Sequence, residues 1–191
     1  MGLFEYLGVL ISVVMGLGIT HLLTGISKIV QYRETTRVYW VHIMWTVNVL
    51  LYIVVIWWGM FWWSSLSEWN FFQFLFVTLY AILLFLIAAM LYPWDLPHDF
   101  EFETYFYRVR GWFFGLQVVA WLIDIRETTF KADMGLRDLP ELYIFFVATM
   151  LALSLTAAVS GNKKYHAFFA VFWFVGILGY LGSTTLARIA G

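Results

Sequence analysis

Few side chains in this 191-residue chain can do chemistry, and several of them fall inside long apolar runs. His21 stands in the middle of "MGLGITHLLTGISK", Asn48 in "WTVNVLLYIVV" and Gln117 in "GWFFGLQVVAWLI". Imidazole is the side chain that titrates around neutrality, so one placed among apolar residues can gate or relay a proton. The two amides can donate and accept hydrogen bonds at fixed points. Counting along helices from one boundary, His21 is ten residues before Gln31 and Asn48 ten after Val38, each about 15 Å in. Gln117 is seven residues after Arg110, about 10 Å in. The three residues are expected to form an intramembrane polar layer, because an unpaired polar group in hydrocarbon costs several kcal/mol. Gly18 and Gly25 flank His21 and leave room for a neighbour beside its ring.

A second group with chemical potential lies in "YPWDLPHDFEFETYFYR". Asp95, His98, Asp99, Glu101 and Glu103 could offer oxygen and nitrogen donors to a cation, although their spacing matches no established ligand pattern. Haem is a minor expectation, because bis-histidine ligation needs a second deep histidine beside His21. By the same count His42 is shallower, and His98 and His166 are boundary or loop residues. No cofactor is firmly implied. The chain has no cysteine, which removes disulfides, thiolate metal sites and cysteine nucleophiles. GxSxG, HExxH, Walker A and GxGxxG patterns are also absent, so the reading leans away from an enzyme. A net charge of −1 offers nothing to attract nucleic acid.

The elements that must position these groups follow from composition. Hydrophobic residues make up 63% of the chain and charged residues 12%, too apolar for a soluble domain of this length. Six apolar runs, at about 7–30, 38–63, 71–92, 109–125, 141–160 and 165–187, predict an all-α, multi-pass transmembrane bundle in one domain, residues 1–191. The fourth run is the shortest, with thirteen uncharged residues between Arg110 and Asp124. Without it there are five spans. With six, seven basic residues (Lys28, Arg33, Arg37, Arg108, Arg110, Lys163, Lys164) face one side and four (Arg126, Lys131, Arg137, Arg188) the other. The positive-inside rule then places both termini outside. The stretch "IDIRETTFKADMGLRDLPEL" reads as a solvated outer loop, with an Asp124–Arg126 ion pair and all carboxylates away from the midplane.

Small residues recur along three helices: Gly8, Ser12, Gly16, Thr20 and Thr24; Ala148, Ala152, Thr156 and Ser160; Gly176, Gly179 and Ser183. In lipid such stripes let backbones approach, so they predict helix packing within the chain or an oligomer face. Five of the eleven tryptophans, Trp57, Trp58, Trp62, Trp63 and Trp69, cluster around the end of the second run. They are expected to anchor at the membrane–water boundary. The combined expectation is a self-associating bundle forming a passive channel or small-ligand cavity around the polar layer. An alternative is a non-catalytic subunit docking a membrane protein through its aromatic face. A haem- or lipid-handling enzyme carries less weight.

Overall fold

A computed structural model describes residues 2–66, 68–95 and 99–189, with side chains of the last helix described as far as Gly182. Six α-helices are present: α1 (Leu3–Gln31), α2 (Trp40–Met60), α3 (Phe71–Leu91), α4 (Phe102–Asp133), α5 (Tyr143–Val159) and α6 (Lys163–Ile189). A short 3₁₀ turn, Phe61–Ser65, extends α2. Of the helices, α1, α2 with its 3₁₀ extension, α3 and α6 are long and apolar enough to cross a membrane; α5 is apolar but shorter. The expected all-helical architecture is therefore present, and several helices suit a bilayer.

The ends of the helices show how the sequence starts and stops them. At the start of α3, the Gln73 amide donates to Asn70 Oδ1 and the Asn70 amide to Gln73 Oε1, both at 2.9 Å. This reciprocal pair satisfies two amides that would otherwise be orphaned in an apolar setting. At the end of α4, Gly135 takes φ 67°, the left-handed conformation that glycine enters without a Cβ penalty. The amides of Gly135 and Leu136 then return to the carbonyls of Ala132 and Lys131.

Side-chain contacts fix the directions of the helices. At one end, the Arg37 amide bonds the Phe100 carbonyl (2.9 Å), the Phe102 amide bonds the Arg37 carbonyl (3.1 Å), and Arg37 pairs with Glu101. Lys163 pairs with Glu103, and Lys28 reaches the Trp94 carbonyl, at this same basic end. At the opposite, tryptophan-rich end, Phe4 stacks with Trp69, Trp63 meets Glu127, and Arg137 meets Tyr180. Successive helices therefore alternate in direction, α4 included. The middle of the bundle is filled with rings: Trp45 packs edge-to-face on Phe114 and Phe169, each at 5.1 Å, and Trp173 sits against Tyr52. Such offset contacts each add about 0.5–1.5 kcal/mol beyond burial.

Two expectations change here. The fourth run extends well past 109–125, because its charged continuation is helical and turns inward. The small-residue stripe of α1 does not pack inside the chain: its buried face is Leu7, Ile11, Met15, Gly18, Leu22, Gly25 and Ile29, and a Cβ at Gly8 or Gly16 would meet nothing. Ala148, Ala152 and Thr156 on α5 also lie exposed, while Tyr143, Val147, Met150, Ser154 and Ala157 face inward. The inward faces mix bulky side chains with small residues other than those of the stripes, Gly18 and Gly25 on α1 and Ser154 and Ala157 on α5. Gly176 does pack, against Met150 and Phe146; Gly179 meets nothing, and the Ser183 side chain lies outside the described residues.

Candidate functional site

One face of α4 carries Gln117, Trp121, Asp124, Thr128 and Lys131 at spacings of four and three residues, with Glu127 beside them. All six are buried. The positions continue the phase of Phe113, Phe114 and Ala120, so a single inward stripe passes from apolar to charged without leaving the core. Buried charge must be paired and hydrogen-bonded, and this cluster is. Glu127 accepts from the Trp63 indole N–H at 2.8 Å and pairs with Lys131. Lys131, 2% exposed, donates a second bond to the Gly59 carbonyl at 2.7 Å. That carbonyl lies in the last turn of α2 and also accepts from the Phe61 amide.

Asp124 takes a different set of partners. The Tyr80 hydroxyl donates to its Oδ1 at 3.0 Å, and the Tyr143 hydroxyl lies 2.8 Å from its Oδ2. Because Tyr80 spends its proton on the carboxylate, Tyr52 is the donor in the 3.1 Å contact between the Tyr52 and Tyr80 oxygens. A chain of four groups, Tyr52–Tyr80–Asp124–Tyr143, therefore links α2, α3, α4 and α5. Tyr52 is eight residues inside the Met60 end of α2 and Tyr80 nine inside the start of α3, about 12–14 Å along each helix.

Next to this chain is a cavity of about 60 Å³ lined by Tyr52, Gly59, Asp124, Glu127, Lys131, Arg137, Tyr143 and Tyr180 among others. It has room for a few water-sized groups. Arg137, in the segment after α4, donates to the Tyr180 hydroxyl at 2.7 Å and brings a second cation to the lining. Carboxylates and cations thus face one small volume.

These placements revise several sequence expectations. Asp124 is not in an outer loop and does not pair with Arg126, whose guanidinium lies over the Phe130 ring. It belongs more than two helical turns inside, because the tyrosines that receive it come from the interiors of α2 and α3. Of the five tryptophans read as boundary anchors, Trp57 and Trp58 are exposed, Trp62 and Trp69 are half-buried, and Trp63 is buried with its N–H committed to Glu127.

Compared with known proteins, the chain matches no family model, no curated protein and no solved structure. Its function must be argued from the geometry.

Of the three residues of the expected polar layer, His21 and Asn48 find separate partners and Gln117 finds none among the described residues. His21 Nε2 is 3.1 Å from the Tyr92 carbonyl, and its ring packs against Trp94. Asn48 donates to the Ala170 carbonyl at 2.9 Å. Gln117 is buried without a hydrogen-bond partner among the described residues, on the same face of α4 as Asp124. The room left by Gly25 is taken by the Tyr92 ring, which lies against it, while Gly18 faces Ile53, Phe85 and Ala88. His42, read as shallow, and His166, read as a boundary or loop residue, stand near the starts of α2 and α6 and are both fully buried by neighbouring rings. His42 sits among the rings of Tyr92, Phe102, Tyr105 and Phe106, and His166 Nε2 is 2.9 Å from the Ser160 carbonyl.

In the acidic segment, Glu101 is engaged by Arg37 and by Thr104, and Asp99 adopts φ 58°. Asp95 is described, whereas His98 lies outside the described residues. Among the described residues no three such side chains are grouped to hold a metal ion. The Asp124 cluster was legible in principle: the spacing D-x-x-E-T-x-x-K prolongs the apolar period of α4, a signal that hydropathy averaging erases.

Proposed function

We propose that this chain is a six-span integral membrane protein, both termini outside, that binds a small zwitterion in the cavity bounded by Asp124 and Arg137. The observation that carries the reading is a carboxylate and a guanidinium lining one volume of about 60 Å³ at the tryptophan-rich end of the bundle. Ionisable groups within membrane spans are expensive, and they mark binding sites and ion or proton pathways. Glu127 and Lys131 largely neutralise each other, which leaves Asp124 to receive an ammonium and Arg137 a carboxylate. Gln117 stands seven residues deeper than Asp124 on the same face of α4, beyond Trp121 and outside the cavity lining. Conduction along the chain's own axis is disfavoured, because Trp45, Phe113, Phe114, Phe169 and Trp173 fill it. A channel would have to run between copies, along the exposed small-residue faces of α1 and α5.

Binding is tested on detergent-purified protein by tryptophan-fluorescence unfolding with glycine, β-alanine and γ-aminobutyrate as probes. A ligand present at about a hundred times its Kd adds about 2.7 kcal/mol, so a hit should raise Tm clearly. Asp124→Asn should abolish that rise. No response to any of the three zwitterions, or an equal response in the variant, would overturn the reading. Topology is tested separately with a C-terminal reporter. An external signal fits six spans, and a cytoplasmic one fits five.

A second reading, a subunit that docks a partner protein, is favoured by one observation. Phe4, Gly8, Ile11, Val54, Trp57, Trp58 and Phe61 line an apolar groove between α1 and α2, with Trp58 67% and Phe61 69% exposed. Exposed aromatic surface on that scale suits either acyl chains or another helix.

A further inference from the structure

At the basic end, α1 carries a line of polar groups on a face left partly open among the described residues. Thr20, Thr24 and Lys28 recur every four residues, about 6 Å apart along the axis, with His21 beside them. With Leu17, Gly25, Phe85, Tyr92, Pro93 and Trp94 they line a cavity of about 240 Å³. Thr20 and Thr24 are exposed, and their hydroxyls can turn either to a ligand or to the carbonyl one turn earlier. Lys28 gives one hydrogen bond to the Trp94 carbonyl, and an ammonium has three to give. His21 is half-buried and held by the Tyr92 carbonyl, with its ring on Trp94. Toward the bundle middle the lining turns apolar at Leu17 and Phe85.

We propose that this cavity binds an anionic phospholipid, its phosphate held by Lys28 and the Thr24 hydroxyl and its acyl chains lying over Leu17 and Phe85. The polarity gradient carries the choice of ligand. Lys28 and Thr24 stand within the last two turns of α1, and the apolar lining at Leu17 lies about three turns below Lys28, so polar and apolar contacts follow in the order of groups in a phospholipid. Basic pockets between helices near a membrane boundary favour anionic headgroups over zwitterionic ones. Trp94, 71% exposed beside Lys28, adds an indole at headgroup level. The inference rests on the membrane-spanning reading but not on the Asp124 cavity, which lies at the opposite end of the bundle.

The test is native mass spectrometry of the full chain in detergent, with dioleoyl-phosphatidylglycerol and dioleoyl-phosphatidylcholine as probes. Phosphatidylglycerol should be retained in preference to phosphatidylcholine. Lys28→Gln, which keeps a donor for the Trp94 carbonyl but removes the charge, should weaken that retention about tenfold. Thr24→Val should weaken it less, and Lys164→Gln, an exposed lysine outside the cavity, should leave it unchanged. Unfolding temperatures of the three variants should match wild type, so loss of retention is not loss of fold. Equal retention of the two lipids, undiminished retention in Lys28→Gln, or displacement of the lipid by inorganic phosphate would each overturn the proposal.

Discussion

Lys131→Met should destabilise the fold by about 3–5 kcal/mol, the penalty for leaving a buried charge without its counter-charge. Glu127 would keep the Trp63 indole but lose its ammonium, and the Gly59 carbonyl would lose a donor. Paired removal makes the diagnosis. In Glu127→Leu with Lys131→Met, two apolar side chains replace the ion pair, and such exchanges are often neutral or stabilising. The double variant should therefore unfold closer to wild type than Lys131→Met does, as read by tryptophan fluorescence in detergent. A single variant as stable as wild type would show that water reaches the pair. A double variant worse than the single would show that the two residues contribute through separate contacts.

The second large effect is expected at Gly25. A Cβ built there would lie well inside contact distance of the Tyr92 ring carbons, and that ring is fixed on its far side by the Tyr92 hydroxyl, 2.8 Å from Thr46 Oγ1. A methyl group can enter only by pushing α1 away from the end of α3, and overpacking of this kind costs about 1–3 kcal/mol. Gly25→Ala should lower Tm accordingly, whereas Gly16→Ala, at a position where a Cβ meets nothing, should leave it unchanged. Because the Tyr92 carbonyl also holds His21, Gly25→Ala should weaken phosphatidylglycerol retention at the neighbouring cavity. Unchanged stability in Gly25→Ala would mean that the Tyr92 ring can turn aside.

The architecture was largely legible because it depends on long averages. Runs of twenty or so apolar residues announce helices whatever their order within the run, and the six runs correspond to six helices. The errors came where one residue's partner decided the outcome. Asp124, Glu127 and Lys131 look like loop residues when charge alone is counted, yet their spacing keeps them on the face that Phe113 and Trp121 bury. The α1 stripe at Gly8, Ser12 and Gly16 carries a packing signature that the chain satisfies instead with Leu7, Ile11 and Met15, one residue away. Depth arithmetic placed His21 and Asn48 at similar heights but could not show that each would meet a backbone carbonyl of another segment. Lateral position is set by side-chain interlocking, which a one-dimensional pattern does not encode. Trp63 illustrates the same limit: nothing in "WWGMFWWSSLSEW" separates the indole that donates to Glu127 from the four that do not.

The backbone exchange between Arg37 and Phe100–Phe102, with the Arg37–Glu101 and Lys163–Glu103 pairs, staples three connecting segments together at the basic end. At the far end no backbone exchange of this kind occurs among the described residues; there the ties run through side chains at Asp124, Glu127 and Arg137, whose guanidinium also lies over the Trp62 ring. If the bundle breathes, it pivots like a clothes-peg about the stapled end, and the jaws part where Arg137 and Tyr180 meet. Entry of a solute to the Asp124 cavity would then part the Arg137–Tyr180 contact, with the ring-filled middle left undisturbed.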